Sequence, residues 1–284
     1  MVIFGTIAVF RENIPLPSGE LALYRALLAS LLIGAFLLVN LLIKKDKIQL
    51  KTLKNSLPIL MLSGIAMGGN WIFLFEAYNR TSVATATLSY YFAPILVTIV
   101  SPILFREKLT LKQIICFIMS TIGIALIIIF TKDESGTQSS FIGIIFGLSA
   151  AVLYATVILL NKFIKNIDGI KRTFLQFISS LFILIPYVLI FDGINLGKLD
   201  TKAIICLLIL GIVHTGITYC MYFSAMKELH GQSVAILSYI DPLVAILISV
   251  FMLGEEMNSL QILGGALILG FTLISELQFK IKKK

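Results

Sequence analysis

The chain has 284 residues, of which 58% are hydrophobic and only 13% are charged, and its formal net charge is +8. Soluble domains carry about 25% charged residues, so this composition excludes an ordinary soluble protein and indicates one that resides in lipid. The positive charge does not indicate nucleic-acid binding, because the basic residues lie in short loops and form no basic face. Cys116, Cys206 and Cys220 are isolated within apolar runs, so neither a metal site nor a disulfide framework is predicted, and no cofactor is expected.

Nine segments have the length of about 20 apolar residues that a membrane-crossing helix needs. In chain order they are 19–43, 57–79, 82–104, 111–131, 141–164, 173–192, 202–226, 232–253 and 259–279. The remaining apolar run, residues 1–10, is about half as long as a crossing. We interpret it as the outer half of a first helix whose inner half is missing, and a short re-entrant start is the alternative. The sequence thus predicts an all-α integral membrane protein with ten transmembrane helices, and the ten segments are numbered in chain order with residues 1–10 as the first.

The basic residues predict the orientation of these crossings. Most of the 23 Lys and Arg residues lie in alternate loops and in the tail, which are thereby placed on one side. Short cytoplasmic loops are enriched in Lys and Arg, so the C-terminus is predicted to be cytoplasmic in a plasma or inner membrane. The polar linker 132–140 would then lie outside the cell.

The second half of the chain repeats the first at an offset of 148 residues. The ungapped identities pair Gly68, Phe75, Ala77, Tyr91, Pro94, Ser101, Glu107 and Gln113 with Gly216, Phe223, Ala225, Tyr239, Pro242, Ser249, Glu255 and Gln261. Each copy, 1–131 or 141–284, holds five crossings, and an odd number makes the two copies face opposite ways. Inverted five-helix repeats are typical of secondary transporters, in which the substrate site lies between the copies near the bilayer midplane.

Short motifs within the repeats carry a family resemblance. They are Gly68-Gly69-Asn70-Trp71, Phe75-Glu76-Ala77-Tyr78, the run from Ala86 to Pro94, and Ser238-Tyr239-Ile240-Asp241-Pro242-Leu243. In combination they resemble the EamA family of the drug/metabolite transporter superfamily. The resemblance implies two inverted five-helix halves and a central cavity lined mainly by helices 1, 3, 4, 6, 8 and 9. It also implies export or exchange of small metabolites, such as amino acids, without ATP.

Pro94 and Pro242 lie near the centres of the fourth and ninth segments. Proline cannot donate the helical N–H bond, so it frees the carbonyl four residues earlier, here of Tyr90 and Ser238. Freed carbonyls at membrane depth are tolerated where they face a cavity or a neighbouring helix. A broken helix at a binding site and a merely structural kink are the two alternatives.

Asp241 and His214 are ionisable residues placed about 15 Å deep in the ninth and eighth segments. A charge at that depth costs about 3 kcal/mol or more, so it usually faces the bundle interior with a partner or a function. We hypothesise that Asp241 binds a proton or a substrate amine and that His214 is its partner. The alternatives are a neutral Asp241 bonded to a freed backbone carbonyl and a His214 that is satisfied within the core.

Arg25 and Glu76 form a second candidate pair, because both lie roughly 6–10 Å below the predicted outer ends of their segments. Intramembrane charges generally pair with one another, which favours a structural ion pair. The alternative is that the two residues flank the outer mouth and meet a zwitterionic substrate.

Aromatic and amide side chains complete the predicted cavity, because tyrosine offers a flat apolar wall and one hydroxyl. The candidates, beside Asp241, are Asn70, Trp71, Tyr90, Tyr91, Tyr154, Asn161, Tyr219, Tyr222 and Tyr239. Part of this set is expected to form an interfacial aromatic belt instead. Glu107 and Glu255 recur after the fourth and ninth segments, where a carboxylate at the start of the following helix explains both.

The function predicted from these features is secondary transport by alternating access, with export of small metabolites or drugs. Uptake or exchange of such solutes and a non-transporting membrane scaffold remain alternatives, and protons are a candidate coupling ion. An intramembrane enzyme is disfavoured, because the sequence has no Gly-x-Ser-x-Gly, His-Glu-x-x-His or P-loop motif. The sequence leaves substrate identity and homodimer formation open.

Overall fold

The computed structural model describes residues 1–44, 50–106, 110–130, 137–164, 167–226 and 237–277, and every regular element within them is helical. The α-helices are α1 (Val2–Gly5), α2 (Ile7–Glu12), α3 (Ser18–Lys44), α4 (Leu50–Arg80), α5 (Val83–Tyr90), α6 (Ala93–Phe105), α7 (Leu111–Phe130), α8 (Thr137–Phe163), α9 (Gly169–Tyr187), α10 (Thr201–Leu208), α11 (Thr218–Met226), α12 (Ile240–Phe251) and α13 (Ser259–Glu276). A π-helical stretch, Val188–Asp192, extends α9, and a second one, Ile209–Ile217, joins α10 to α11. A short 3-10 turn occupies Leu196–Lys198.

Eight helical spans within the described residues are long and apolar enough to cross a membrane. They are Ser18–Ile43, Lys54–Arg80, Val83–Phe105, Leu111–Phe130, Ser140–Phe163, Gly169–Asp192, Thr201–Tyr222 and Ser259–Glu276. The predicted crossings at these positions are therefore confirmed by length and composition. The predicted ninth crossing contains the shorter apolar helix α12, and its expected start at 232–236 lies outside the described residues. Residues 132–136 of the predicted linker and the basic residues of the tail also lie outside the described residues.

The first twelve residues form two short helices rather than one helical segment. A turn at Thr6 separates α1 from α2, and the Thr6 hydroxyl donates a hydrogen bond to the carbonyl of Ile3 at 2.8 Å. Hydroxyl side chains that bond back to a preceding carbonyl compete with the helical ladder. Gly5 approaches α12 so closely that an added Cβ would lie 2.7 Å from the Asp241 carbonyl oxygen. These helices thus pack against the start of α12.

The surface of the bundle is apolar, as lipid contact requires. Leu42, Ile190 and Phe251 expose 75%, 72% and 79% of their surface. Polar side chains are instead buried between helices, and Gln176 donates to Ser63 and Asn161 at the crossing of α9 with α4 and α8. In lipid, interhelical hydrogen bonds and close packing drive association, because the lipid tails are as apolar as the side chains.

Small residues lie where helices cross closely, because they allow the two backbones to approach. Gly68 of α4 packs on α9, where an added Cβ would lie 3.2 Å from Ser180 atoms. Gly216 of the π-helical stretch packs on α3, where an added Cβ would lie 2.5 Å from the side chain of Leu32. Gly68 and Gly216 are repeat partners, and Leu32 and Ser180 are separated by the same 148 residues. The two halves therefore build the same crossing from equivalent positions.

The repeat extends to the helix starts of α7 and α13. Thr110 and Gln113 cap α7 reciprocally, because the Gln113 side chain accepts from the Thr110 N–H at 2.9 Å and the Thr110 hydroxyl accepts from the Gln113 N–H at 3.3 Å. Asn258 and Gln261 form the same capping box on α13, with distances of 2.9 and 2.8 Å. Each box satisfies two of the N–H groups that a helix start leaves without an intrahelical partner. The equivalent positions therefore specify the same local structure.

The helix ends that precede these boxes also match. Arg106, after α6, has a φ of 56°, and Gly254, after α12, has a φ of 70°. Both positions occupy the left-handed region, which glycine adopts without steric cost and other residues adopt at about 1–2 kcal/mol. The two halves thus end the equivalent helix with the same backbone turn.

Candidate substrate cavity

A cavity of about 650 Å³ lies between the two halves of the chain. Helical segments 1, 3, 4, 6, 8 and 9 of the predicted topology all contribute to its wall. The predicted cavity residues that line it are Asn70, Trp71, Tyr90, Tyr91, Tyr154, Tyr219, Tyr222, Tyr239 and Asp241. Asn161 lies elsewhere, at the crossing of α8 and α9. The wall also includes residues that were not predicted to line it, notably Arg25, Thr87, Ser101, Lys162 and Glu276.

Both halves interrupt a helix at the cavity. The fourth crossing stops at Tyr90 and resumes at Ala93, with Pro94 as the second residue of α6. In the second half a turn at Tyr239, the repeat partner of Tyr91, precedes α12. Pro94 lines the cavity, whereas Pro242 is buried in the first turn of α12. Tyr90, Tyr91 and Tyr239 at these interruptions line the cavity, and irregular backbone at membrane depth is tolerated where it lines a cavity.

Asp241 lies in the first turn of α12 and lines the cavity. Its Oδ2 accepts a hydrogen bond from the Tyr91 hydroxyl, which comes from the interruption in the other half. A carboxylate at a helix start is stabilised by the positive end of the helix dipole. Tyr91 was predicted as a wall residue, but its role as the donor to Asp241 was not, because the offset of 148 residues pairs Tyr91 with Tyr239 rather than with Asp241.

His214 does not pair with Asp241 in the structure, which corrects the hypothesis from the sequence. Its Nε2 lies 2.8 Å from the Thr6 hydroxyl, its Nδ1 lies 3.4 Å from the Ile209 carbonyl, and its ring packs on Phe10 at 4.8 Å. His214 is buried and does not line the cavity. The π-helical stretch turns His214 toward α2, so equal depth in the membrane does not bring the two side chains together.

The predicted Arg25–Glu76 ion pair is also absent, although both residues are described. Arg25 Nε donates to the Thr215 hydroxyl at 2.6 Å, and its guanidinium lies over Trp71 and Phe75 at 4.9 and 5.7 Å from the ring centroids. Counting residues from the helix end fixes the depth of a side chain but not the direction in which it points. Arg25 consequently faces the cavity from α3.

Glu76 finds its partners at the end of its own helix. It forms an ion pair with Arg80 at 2.7 Å, four residues later on the same face of α4. It also accepts hydrogen bonds from Ser18 at 2.8 Å and from Asn79 at 3.3 Å. Glu76 thus joins the ends of α3 and α4 and does not line the cavity.

The remaining predicted wall residues form an aromatic surface with a polar anchor. Tyr90 stacks on Tyr154 at 5.2 Å and meets Tyr91 edge-on at 5.8 Å between ring centroids. The Asn70 amide donates to the Ala150 carbonyl at 2.7 Å, so it also ties α4 to α8. Such a wall can hold the apolar body of a solute while a few polar groups orient it.

The cavity reaches one end of the bundle. Ser101 and Lys162 lie close to the ends of α6 and α8, Glu276 ends α13, and Gln113 lies in the first turn of α7, and all of them line the cavity. The Lys162 ammonium donates to the Ser101 hydroxyl at 2.7 Å.

At the other end, Glu255 holds the two halves together. Its carboxylate accepts from the backbone N–H groups of Val83 at 2.8 Å and Ala84 at 3.3 Å, and from the Ser249 hydroxyl. The sequence predicted that Glu255 would cap the following helix, but Asn258 fills that role for α13. Glu255 instead caps α5 of the first half, a long-range contact that spacing cannot reveal. Its repeat partner Glu107 lies outside the described residues.

Groups of three or more His, Cys, Asp or Glu that could hold a metal ion are absent from the described part of the chain.

Known proteins share this architecture over nearly the whole chain. The EamA-like transporter family matches residues 1–129 and 141–276. The chain belongs to this family. As an EamA-like protein it is a multi-pass membrane transporter and not an enzyme. Two matched regions of one family suggest that the chain contains repeats.

Two relatives have substantial sequence identity to this chain. The transporter YxxF of Bacillus subtilis, itself uncharacterised, is 34% identical over 268 residues, which cover 94% of this chain and 84% of that protein. An uncharacterised transporter of Archaeoglobus fulgidus is 30% identical over 200 residues, covering 70% and 69%. A protein of Salmonella typhimurium named "Probable amino-acid metabolite efflux pump" is 24% identical over 188 residues, covering 63% and 62%.

A solved crystal structure has the same fold. It aligns with 96% of this chain and 93% of its own, with a TM-score of 0.65 and 18% sequence identity. At this identity the likeness extends to the fold alone.

Proposed function

We propose that this EamA-like protein is a secondary transporter that exports small organic metabolites across the cytoplasmic membrane by alternating access. The observation that carries the proposal is the cavity between the halves, with a helix interruption from each half at its wall. Ligand cavities usually measure about 300–1,000 Å³, and the cavity here measures about 650 Å³. Interrupted helices that meet near the midplane are a recurrent means of binding solutes in secondary transporters.

The proposal includes ten crossings in two oppositely oriented halves. The matching crossings of α4 on α9 and of α3 on the π-helical stretch support two copies of one bundle. An odd number of crossings in each copy then gives the inversion, which allows one half to move against the other and expose the same site to either side.

The ends of the cavity support an inward-facing conformation. Glu255 closes the end at which α5 begins, while the wall extends to the end at which α6, α8 and α13 finish. The distribution of Lys and Arg favours a cytoplasmic location for this second end and for the C-terminus. A solute would enter from the cytoplasm, and rupture of the Glu255 contact would open the outer path.

The direction of transport rests on similarity. The Salmonella relative is named as an efflux pump for amino-acid metabolites, which favours export of comparable solutes here. Uptake or exchange by the same cavity is the alternative. Asp241 is the proposed coupling group, because it lies on the wall and can bind a proton or a cationic group of the solute, but not both at once.

The proposal is tested with purified protein in proteoliposomes that contain no ATP. The vesicles are loaded with an unlabelled mixture of the common amino acids and diluted into a trace of the same mixture carrying ¹⁴C. Counterflow is expected to accumulate label transiently above the level in protein-free vesicles, because a carrier exchanges solute without net energy input. Label uptake that equals the protein-free control would contradict the proposal for this solute class.

The Glu255→Gln variant should weaken the closed end of the cavity. A neutral amide loses the charge that favours a helix start, and hydrogen bonds to charged groups contribute about 1.5–3 kcal/mol. We expect a lower melting temperature in detergent and faster labelling of a cysteine placed at Ala84. Glu256→Gln is the matched control, because Glu256 is the adjacent exposed carboxylate. If the two variants had equal melting temperatures and equal labelling rates, Glu255 would not be part of the contact that closes this end of the cavity.

A further inference from the structure

We infer that Arg25 forms an anion-binding site that receives a carboxylate group of the transported solute, with Thr215 as its positioning residue. This inference rests on the proposed function. It differs from the usual expectation for a buried charge, which is an ion pair within the protein. It concerns the chemical class of the solute, which must carry a carboxylate.

Arg25 is a buried cation whose charge is not neutralised by direct contact with an anion among the described residues. The side chain is 4% exposed, and its hydrogen bond within the described residues is the one from Nε to Thr215. The two terminal amino groups, with four N–H donors, have no acceptor among the described residues. Glu76, the nearest candidate from the sequence, is committed to Arg80. An intramembrane cation of this kind usually pairs with an anion, and Arg25 lines the cavity.

The guanidinium of Arg25 is held in one orientation by its neighbours. The Thr215 hydroxyl donates to the Leu210 carbonyl at 2.9 Å, which leaves its oxygen to accept from Arg25 Nε at 2.6 Å. This bond to the residue five positions earlier belongs to the π-helical stretch, and such stretches occur frequently at functional sites. The guanidinium also lies over the rings of Trp71 and Phe75, which restrict its movement. The edge of the guanidinium that carries the two terminal amino groups therefore keeps a fixed direction.

The guanidinium of Arg25 is complementary in shape to a carboxylate. The terminal amino groups of arginine form a planar fork that matches the two oxygens of a carboxylate. Asp241 also lines the cavity, but its hydrogen bond comes from Tyr91 and not from Arg25. The fork is thus available to bind a carboxylate of the solute. The apolar part of the solute would then contact the tyrosines of the cavity wall.

Trp71 provides a direct readout, because it is the single tryptophan of the chain and lies under the Arg25 guanidinium. Purified protein in detergent is titrated with cyclohexanecarboxylate and, separately, with cyclohexanecarboxamide, while tryptophan emission is recorded. The two probes have the same ring and nearly the same shape, and they differ in the carboxylate. A saturable change with the acid and none with the amide at equal concentration is expected.

The variants assign this response to the site. Arg25→Gln should weaken acid binding by about tenfold or more, because it removes the charge and the fork. Thr215→Val should also weaken binding, while Thr215→Ser, which keeps the hydroxyl, should restore it. Arg80→Gln is the control, since Arg80 does not line the cavity. Gel filtration establishes that each variant is folded, and the comparison of acid with amide on the unaltered protein does not depend on any variant.

The outcomes separate this inference from the proposed function. No saturable response to the acid, an equal response to the amide, or an unchanged response in Arg25→Gln would overturn the anion site. If amino acids show counterflow but the protein binds the acid no better than the amide, the proposed transport stands and only the inference fails. Acid binding without counterflow of amino acids would instead support the site and contradict transport of that solute class.

Discussion

Replacement of Gly64 by leucine is expected to prevent assembly of the bundle. An added Cβ at Gly64 would lie 2.5 Å from the Gln176 carbonyl oxygen and 2.4 Å from the Ser179 Cβ, so the backbones of α4 and α9 would have to separate. Overpacking of this kind costs about 3 kcal/mol when the backbone must move. The result is measured as loss of the monodisperse peak in gel filtration of the detergent extract.

Gly270 offers a matched control on α13, because an added Cβ there would meet nothing within 4 Å. Gly270→Leu should give normal yield and an unchanged melting temperature, and leucine is a favourable helix former in both variants. If Gly64→Leu assembled as well as Gly270→Leu, the close crossing of α4 and α9 would be wrong.

The second large effect is expected for Asp241→Asn, which should reduce counterflow by about tenfold to hundredfold. A hydrogen bond or ion pair to a charged group contributes about 1.5–3 kcal/mol, and each 1.4 kcal/mol corresponds to a factor of ten. The asparagine side chain keeps the shape but cannot exchange a proton or balance a cationic group. Counterflow by the unaltered protein is expected to depend on pH, and the variant should lose this dependence.

Two comparisons make this result specific. Glu256→Gln removes an exposed carboxylate outside the cavity and should leave counterflow unchanged. Tyr91→Phe removes the hydrogen bond to Asp241 and should give an intermediate rate, because the carboxylate remains. Full activity with the normal pH profile in Asp241→Asn would exclude Asp241 from binding and coupling.

The course of the chain could largely be predicted from the sequence, because a membrane imposes one dominant length rule. Segments of about 20 apolar residues must form helices that satisfy their own backbone. The helix starts at Thr110 and Asn258 were equally accessible, because the glutamine three residues later marks a capping box. The four-residue spacing of Gly64 and Gly68 likewise favours a close approach of helices.

The partners of the charged residues could not be predicted, because they depend on helix rotation. Arg25 and Glu76 have similar depths but face different neighbours, Thr215 and Arg80. His214 lies in a π-helical stretch, which changes the face that each residue presents and has no clear sequence signal. The closing contact of Glu255 with α5 joins positions 172 residues apart, beyond any local pattern.

The most direct test of the two oppositely oriented halves is labelling at two positions that follow equivalent helices. Arg106 follows α6 and Glu256 follows α12, and both are exposed. Each is replaced by cysteine in a chain whose native cysteines are serine, and intact cells are treated with a membrane-impermeant maleimide. We predict that the cysteine at Glu256 reacts in intact cells and the one at Arg106 only after permeabilisation. Reaction of both from the same side would contradict the inverted halves and the cavity they are proposed to share.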